Sequence, residues 1–444
     1  MAGKFIRSFQ WLIGYQMVRL LVGFFLGTWV ARELGPENFG VLATAAAAGS
    51  IAYCFVELGM RQLVLREIGR RRHSGAVVAG TVFKLWLVAG LVASALLACW
   101  NVWSQALPWG VFVATAVPML LTAISIHNNW EEAEDRAFVA ARNNMAGYLS
   151  AAAMRVVCVI WLPTMVAIAW TFALETIIAG ALGMWISHMR GRGYWLRGWD
   201  QRIAKAVLSR GALLVIGQAG TLLLLRADTV MIEHMRGRHE AGIYGAAVRL
   251  SELVYLLSPM IVTILLPRLS LLLKTKDVPH FREMAGRGSD LMAVVGGASA
   301  LGLMLTGPFA IRFLFGTPYE ASVPVLLVHC LGAVPYFQME WRYAVMVAAD
   351  RPQITAWLSW MAVILNISLN LLWIPHYGAL GAAWATLISY SVCGMAATWL
   401  IADLRWFAIR QLRAILAPFD MIYRPRKHLA LWQQMLARSS AFTV

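Results

Sequence analysis

Leu34-Gly35-Pro36-Glu37-Asn38-Phe39-Gly40-Val41-Leu42-Ala43-Thr44-Ala45 is echoed 202 residues later by Arg236-Gly237-Arg238-His239-Glu240-Ala241-Gly242-Ile243-Tyr244-Gly245-Ala246-Ala247. Each stretch sets two glycines five apart, follows the second with a β-branched residue, and runs on into small residues that open a helix. Each also joins two long apolar runs. About 20 apolar residues cross the hydrocarbon core as a helix, and twelve such runs are expected, from 11–31 to 378–400. The two echoing stretches stand six runs apart. An even offset keeps both halves in one orientation, which predicts a parallel repeat of two six-helix lobes. Substrate sites in such repeats lie where the lobes meet.

Composition agrees. The set AVILMFWYC makes up 60% of the 444 residues and only 14% are charged, against about 45–50% and about 25% in soluble domains. A soluble enzyme, a secreted module and a disordered chain are excluded on that ground. The five cysteines, Cys54, Cys99, Cys158, Cys330 and Cys393, each sit inside an apolar run without CxxC spacing, so they read as small buried hydrophobes rather than a disulfide or zinc framework. The N-terminal run follows Lys4 and Arg7, contains Arg19 and lacks a small-residue cleavage site, so it reads as a first span and not a signal peptide.

The chain carries 38 Lys+Arg against 22 Asp+Glu, a net +16. With Pro163 splitting the fifth run from the sixth and the N-terminus inside, 28 basic residues fall on cytoplasmic segments and four, Arg32, Arg236, Arg238 and Arg312, on outer loops. That is the positive-inside pattern. The basic residues are spread over many segments, so no nucleic-acid partner is expected. The outer loops are too short for a soluble domain. Expected divisions are a first lobe 1–188, a cytoplasmic amphipathic linker 189–210, a second lobe 211–402 and a basic cytoplasmic tail 403–444. Linker and tail mix Arg with Trp, Leu and Phe, as helices on an anionic leaflet do.

Six cations remain within the runs: Arg19, Lys84, Arg155, Arg226, Arg249 and Arg342. A mid-bilayer charge costs about 2.5–3.5 kcal/mol on the insertion scale and so faces a partner or a watery cavity. These six are the candidate anion-binding residues, spread over several depths. The acids are Glu57, Glu175, Asp228, Glu252 and Glu340, of which Glu57, Asp228 and Glu252 are candidate coupling-ion sites. Arg249 and Glu252, three apart, can pair on one helix face. Arg155 and Glu175, at similar depth across Pro163, are expected to pair. Lys84 and Arg19 are placed to snorkel. Arg226 and Asp228, two apart, face different ways and need partners from other helices. His329 reads as a core histidine, and Asn366 with Asn370 as helix-to-helix hydrogen bonds. His127-Asn128-Asn129-Trp130-Glu131 has helical spacing but no metal motif, and no Walker loop, GxSxG or other catalytic motif is present.

Residues 31–40 (Ala31-Arg32-Glu33 and the first repeat turn), Glu57-Leu58-Gly59-Met60-Arg61, Ala241 through Glu252, Asn366 through Asn370, Ile374-Pro375-His376-Tyr377-Gly378 and Gly381 through Thr386 resemble the polysaccharide flippases. These are the Wzx-type O-antigen and exopolysaccharide transporters of the multidrug/oligosaccharidyl-lipid/polysaccharide superfamily. The likeness runs to about residue 402. The resemblance implies an all-α membrane protein of about twelve helices in two lobes around a cationic cavity. It implies flipping of undecaprenyl-diphosphate-linked oligosaccharide in the bacterial inner membrane by alternating access, with both termini cytoplasmic. It implies no cofactor beyond H+ or Na+ coupling. Membrane lipids, a polysaccharide polymerase and a chain-length regulator are its implied partners. Arg suits the phosphate oxygens of such a cargo. The readings kept beside it are a cation-coupled drug antiporter or a lipid II flippase of the same superfamily. From another class there is a polysaccharide polymerase or ligase, which would need a large outer loop. A major-facilitator transporter fits less well, since Arg66-Glu67-Ile68-Gly69-Arg70-Arg71 reverses that family's charge order.

Overall fold

The computed structural model describes residues 2–57, 61, 64–65, 75–134, 136–191 and 198–417. The linker residues 192–197 and the tail beyond 417 lie outside the described residues. Among the described residues every regular element is a helix. Eight segments are long and apolar enough to cross a membrane, and nine when the bent pair Ser322–Leu331 and Ala333–Ala348, 41° apart, counts as one.

The glycines explain why twelve expected runs become fewer, longer helices. The first helix, α1 (Ala2–Glu57), continues past Gly35, whose φ of 71° and ψ of 169° break it into two arms. A positive φ is open to glycine at little steric cost. Near the other end of the chain, a helix over Pro352–Gly394 breaks in the same manner at Gly378. Each of these two helices therefore holds two expected runs. Pro163 does separate the fifth run from the sixth, between Ala137–Trp161 and Met165–Met189. Proline lacks the N–H a continuing helix needs, and Thr164 restarts the helix by accepting the Ala167 N–H at 3.3 Å. The run 211–231 lies within the helix Gln201–Arg236, which starts at an Asp200 cap accepting from Arg202 and Ile203.

The helices are labelled in chain order: α1; α2 (Gly75–Ser104); α3 (Trp109–Leu121); α4 (Ile126–Ala133); α5 (Ala137–Trp161); α6 (Met165–Met189); α7 (Gln201–Arg236); α8 (Arg238–Tyr255); α9 (Leu257–Lys274); α10 (Val278–Leu314); α11 (Ser322–Leu331); α12 (Ala333–Ala348); α13 (Pro352–Gly394); α14 (Arg405–Ala414). The chain divides into two compact units, Met1–Gly242 and Ile243–Val444.

In the first unit, α1 packs on α2, α5 and α7, and α5 on α6. Val30, Val41, Val56, Val111, Met119 and Ile168 belong to one of its apolar cores. The two repeat turns meet here. Gly237 carries φ 91° and ψ 177°, nearly the backbone of its equivalent Gly35. A Cβ on Gly40 would lie 1.9 Å from the Arg238 carbonyl oxygen, and one on Gly242 would lie 1.9 Å from that of Pro36. Pro36 and Arg238 are themselves 202 apart, so one contact is made twice, with the partners exchanged. The Arg238 side chain fastens the second turn further, reaching the carbonyls of Gln105 at 3.3 Å and Ala106 at 3.4 Å.

In the second unit, α10 packs on α12, and α12 on α13. Gly288 lets α10 approach the Trp341 indole, where a Cβ would fall 1.9 Å from Cζ2, and that indole donates to the Ala285 carbonyl at 2.8 Å. The short α14 turns Phe407, Ala408, Gln411 and Ala414 inward against the unit. Gly288→Ala is expected to lower the thermal unfolding temperature in detergent, since overpacking costs about 1–3 kcal/mol. Gly302→Ala, with nothing within 4 Å of its added methyl, is expected to leave it unchanged or raise it, as helix propensity favours Ala by about 1 kcal/mol.

Candidate functional site

Two of the six intramembrane cations converge on one helix of the first unit. Thr171 and Glu175 stand four apart on α6 and share its face. Arg155, from α5, donates its Nε to the Thr171 hydroxyl at 2.8 Å and lays its guanidinium 3.8 Å over the Phe172 ring. Thr171 passes its own hydrogen to the Ile168 carbonyl at 2.7 Å. Arg19, from α1, meets the Glu175 carboxylate at 3.5 Å and donates to the Tyr15 hydroxyl at 3.2 Å. Tyr148 of α5 donates to the Arg19 carbonyl at 3.1 Å. The expected pairing of Arg155 with Glu175 is thus corrected: Glu175 takes Arg19, and Arg155 takes a hydroxyl and a ring. Arg155 is buried, whereas 52% of the Arg19 side chain is exposed. Two arginines thus engage the same helix, Arg19 through a carboxylate and Arg155 through a hydroxyl and a ring. Arg19 is held by one acid and two tyrosines yet remains open to a ligand anion.

The other candidates are scattered. Lys84 on α2 donates to the Gly198 carbonyl at 3.2 Å, so its charge serves the segment that leads into α7. Glu57 ends the first membrane helix pair, half-buried. On α7, Asp228 is buried and Arg226 half-buried. In the second unit, Arg249 and Glu252 of α8 are both half-buried. Arg342 of α12 is fully buried and donates to the carbonyls of Cys393 and, at 3.2 Å, Gly394, where α13 ends. A guanidinium there answers the negative end of the helix dipole, so Arg342 is engaged by the chain itself.

The structure also gathers residues that the charge pattern did not mark. Tyr15 stands four before Arg19, a spacing that puts both on one face, and it was legible on that ground. Glu131, within the His127-to-Glu131 stretch, is 1% exposed and ion-pairs with Arg190, with Arg136 at 4.0 Å. Beside it Asn143 donates to Asn128 at 3.0 Å. No group of His, Cys, Asp and Glu suited to a metal occurs among the described residues. In the second unit His329 is buried, with Nδ1 2.9 Å from the Ser251 hydroxyl and its ring stacked 5.7 Å from Tyr255. Asn366 bonds Thr386 across the Gly378 kink at 3.3 Å, and Asn370 bonds Asn366 at 3.0 Å. Asn366 thus ties the two arms together, as expected of it, while the Asn370 bond runs along one arm.

Long apolar helices, kinked at glycines and rich in small residues, make this a multi-pass membrane protein. Its fold is that of the multidrug/oligosaccharidyl-lipid/polysaccharide superfamily. An inward-facing multidrug resistance MATE transporter superposes with a TM-score of 0.70 at 14% identity, over 92% of this chain and 98% of the other. The lipid II flippase MurJ in an inward closed conformation gives 0.70 at 12% identity, over 98% of each. The chain belongs to the polysaccharide biosynthesis protein family, whose sequence signature matches residues 29–324. The signature of the lipid II flippase MurJ also matches residues 240–419. A probable flippase, AglR, of Haloferax volcanii is 31% identical over 170 residues, which are 37% of this chain and 35% of that protein. The chain thus matches about a third of that relative's length.

Two carboxylates separate a structural pair from an open one. Glu131→Gln is expected to cost about 1–3 kcal/mol, because the carboxylate is buried and its bonds are lost, while Arg190 is a third exposed. Glu175→Gln is expected to cost at most about 1 kcal/mol, because its partner is half in solvent. Unfolding in mixed detergent micelles measures both.

Proposed function

We propose that this protein flips a polyprenyl-diphosphate-linked oligosaccharide from the inner to the outer leaflet of the cytoplasmic membrane, for assembly of a surface polysaccharide. The observation that carries the reading is the open Arg19, held by a carboxylate on α6, the helix that Arg155 also engages, within an apolar bundle of the polysaccharide biosynthesis family. Phosphate oxygens are the costly part of such a cargo to bring into a membrane, and guanidinium groups match their geometry. Arg226 and Arg249 supply further cations for its passage. Glu57, Asp228 and Glu252 are the places where a proton or sodium ion would couple movement to a gradient. The positive-inside count puts both termini in the cytoplasm. A polymerase and a chain-length regulator would receive the product.

Lipid II is the second cargo to consider, because the lipid II flippase signature covers residues 240–419. Both cargoes share a diphosphate on a polyprenyl chain and differ in the sugar.

In a strain lacking the protein, lipid-linked oligosaccharide is expected to accumulate in the inner leaflet, and wild-type chain is expected to restore the surface polymer. Arg19→Ala, Arg226→Ala or Arg249→Ala are expected to insert normally and fail to restore it. Normal export in all three variants would overturn the cationic route. In vesicles, collapse of the proton or sodium gradient is expected to stop flipping, and unchanged transport would remove ion coupling. Restoration of cell-wall synthesis in a strain lacking its lipid II flippase would favour the second cargo.

A further inference from the structure

The Arg19 cluster sits at one end of an apolar groove. The groove lies between α1 and α5 in the first unit, has a volume of about 500 Å³, and is lined by Leu21, Phe25, Trp29, Leu149, Ala153 and Val156 among others. Its wall is open: Phe25 is 58% and Leu149 46% exposed. Arg19 shares a helix face with the lining residues Val22 and Leu26, three and seven positions on. Tyr148, which donates to the Arg19 carbonyl, directly precedes Leu149. The Tyr148 hydroxyl also lies 3.0 Å from where a Cβ on Gly23 would stand, which seats α5 beside this stretch of α1. From Leu21 to Trp29 the groove extends about 12 Å at 1.5 Å per residue.

We infer that this groove seats the polyprenyl chain of the cargo while its diphosphate lies at Arg19, an inference that rests on the flippase reading. Polarity and direction both support it. The groove has a cationic end and an apolar length, as a chain-bearing phosphate has. With the N-terminus in the cytoplasm, Arg19 lies just inside the middle of the expected span 11–31, and the groove runs outward from there. A lipid of the inner leaflet points the same way, headgroup inward and chain outward. It enters without turning over. Glu175 holds Arg19 in the empty site, and the phosphate takes over that contact. Because the chain lies against α1 and α5 and not across the polar cluster, the sugar stays free of the groove. The groove therefore recognises the carrier and leaves the glycan to other residues.

The test uses purified full-length protein in phosphatidylcholine nanodiscs with undecaprenyl diphosphate carrying a diazirine in its chain. Irradiation is expected to label residues 21–29 and 149–156. Ala153→Trp, at an exposed position, fills the groove and is expected to weaken binding about tenfold or more, as losing the burial of two methylenes would. Inorganic diphosphate, which has no chain to seat, is expected to bind this variant as it binds wild type. Phe25→Ala removes one wall at another exposed position and is expected to reduce the labelling. Arg19→Ala is expected to weaken both diphosphates. Labelling elsewhere, or long-chain binding undiminished in both groove variants, would overturn the inference. So would equal competition by phosphatidylglycerol, which would make the groove an ordinary phospholipid site. Failure of the flippase reading shows differently: the groove is labelled as expected, yet wild-type chain does not restore the surface polymer.

Discussion

A cation in hydrocarbon must meet a partner or water, and that demand organises much of what is described here. Glu175 answers Arg19, Thr171 and the Phe172 ring answer Arg155, and the carbonyls that end α13 answer Arg342. The three solutions differ in what they leave available. A carbonyl cap buries its arginine fully and binds it to the fold. A hydroxyl and a ring satisfy one edge of a guanidinium while burying it. A carboxylate at a half-open position neutralises its arginine and leaves part of the guanidinium exposed. The functional distinction among cations of one type therefore comes from their partners, not from their depth.

The second organising feature is close approach between helices. Apolar side chains drive little association among helices already in lipid, so packing and small residues carry it. Gly288 admits an indole, and Gly147 brings α5 against the backbone of α6 near Glu175. That second approach places Tyr148, the next residue, within reach of α1. Glycine spacing thus sets the frame in which the arginine cluster can form.

Much of this was legible in the sequence, for reasons that can be named. The repeat turns, the break at Pro163 and the asparagine bonds all depend on local chemistry: a positive φ, a missing N–H, a four-residue spacing. The pairing of Glu175 was not legible. Depth paired Glu175 with Arg155 and left Arg19 to snorkel, and only the packing of α1 beside α6 brings Arg19 to the carboxylate. Arg342 looked like its fellow cations because periodicity gives a residue's depth and says nothing of a carbonyl arriving from a helix fifty residues on. Glu131 escaped notice because its stretch reads as a polar helix end, whereas tertiary packing buries it with Arg190. The tail beyond 417 and the centre of the linker lie outside the described residues, so their reading as surface helices rests on composition.

The meeting of the two repeat turns has one more consequence. Pro36 and Arg238 present carbonyl oxygens to Gly40 and Gly242, so the joint is built from main-chain atoms on both sides. Main-chain atoms are the same in every relative that keeps the four glycines. A hybrid carrying the first turn of one such protein and the second of another would inherit a working joint without further adjustment. Cargo preference, which resides in side chains, could then be exchanged by recombination as readily as by point substitution.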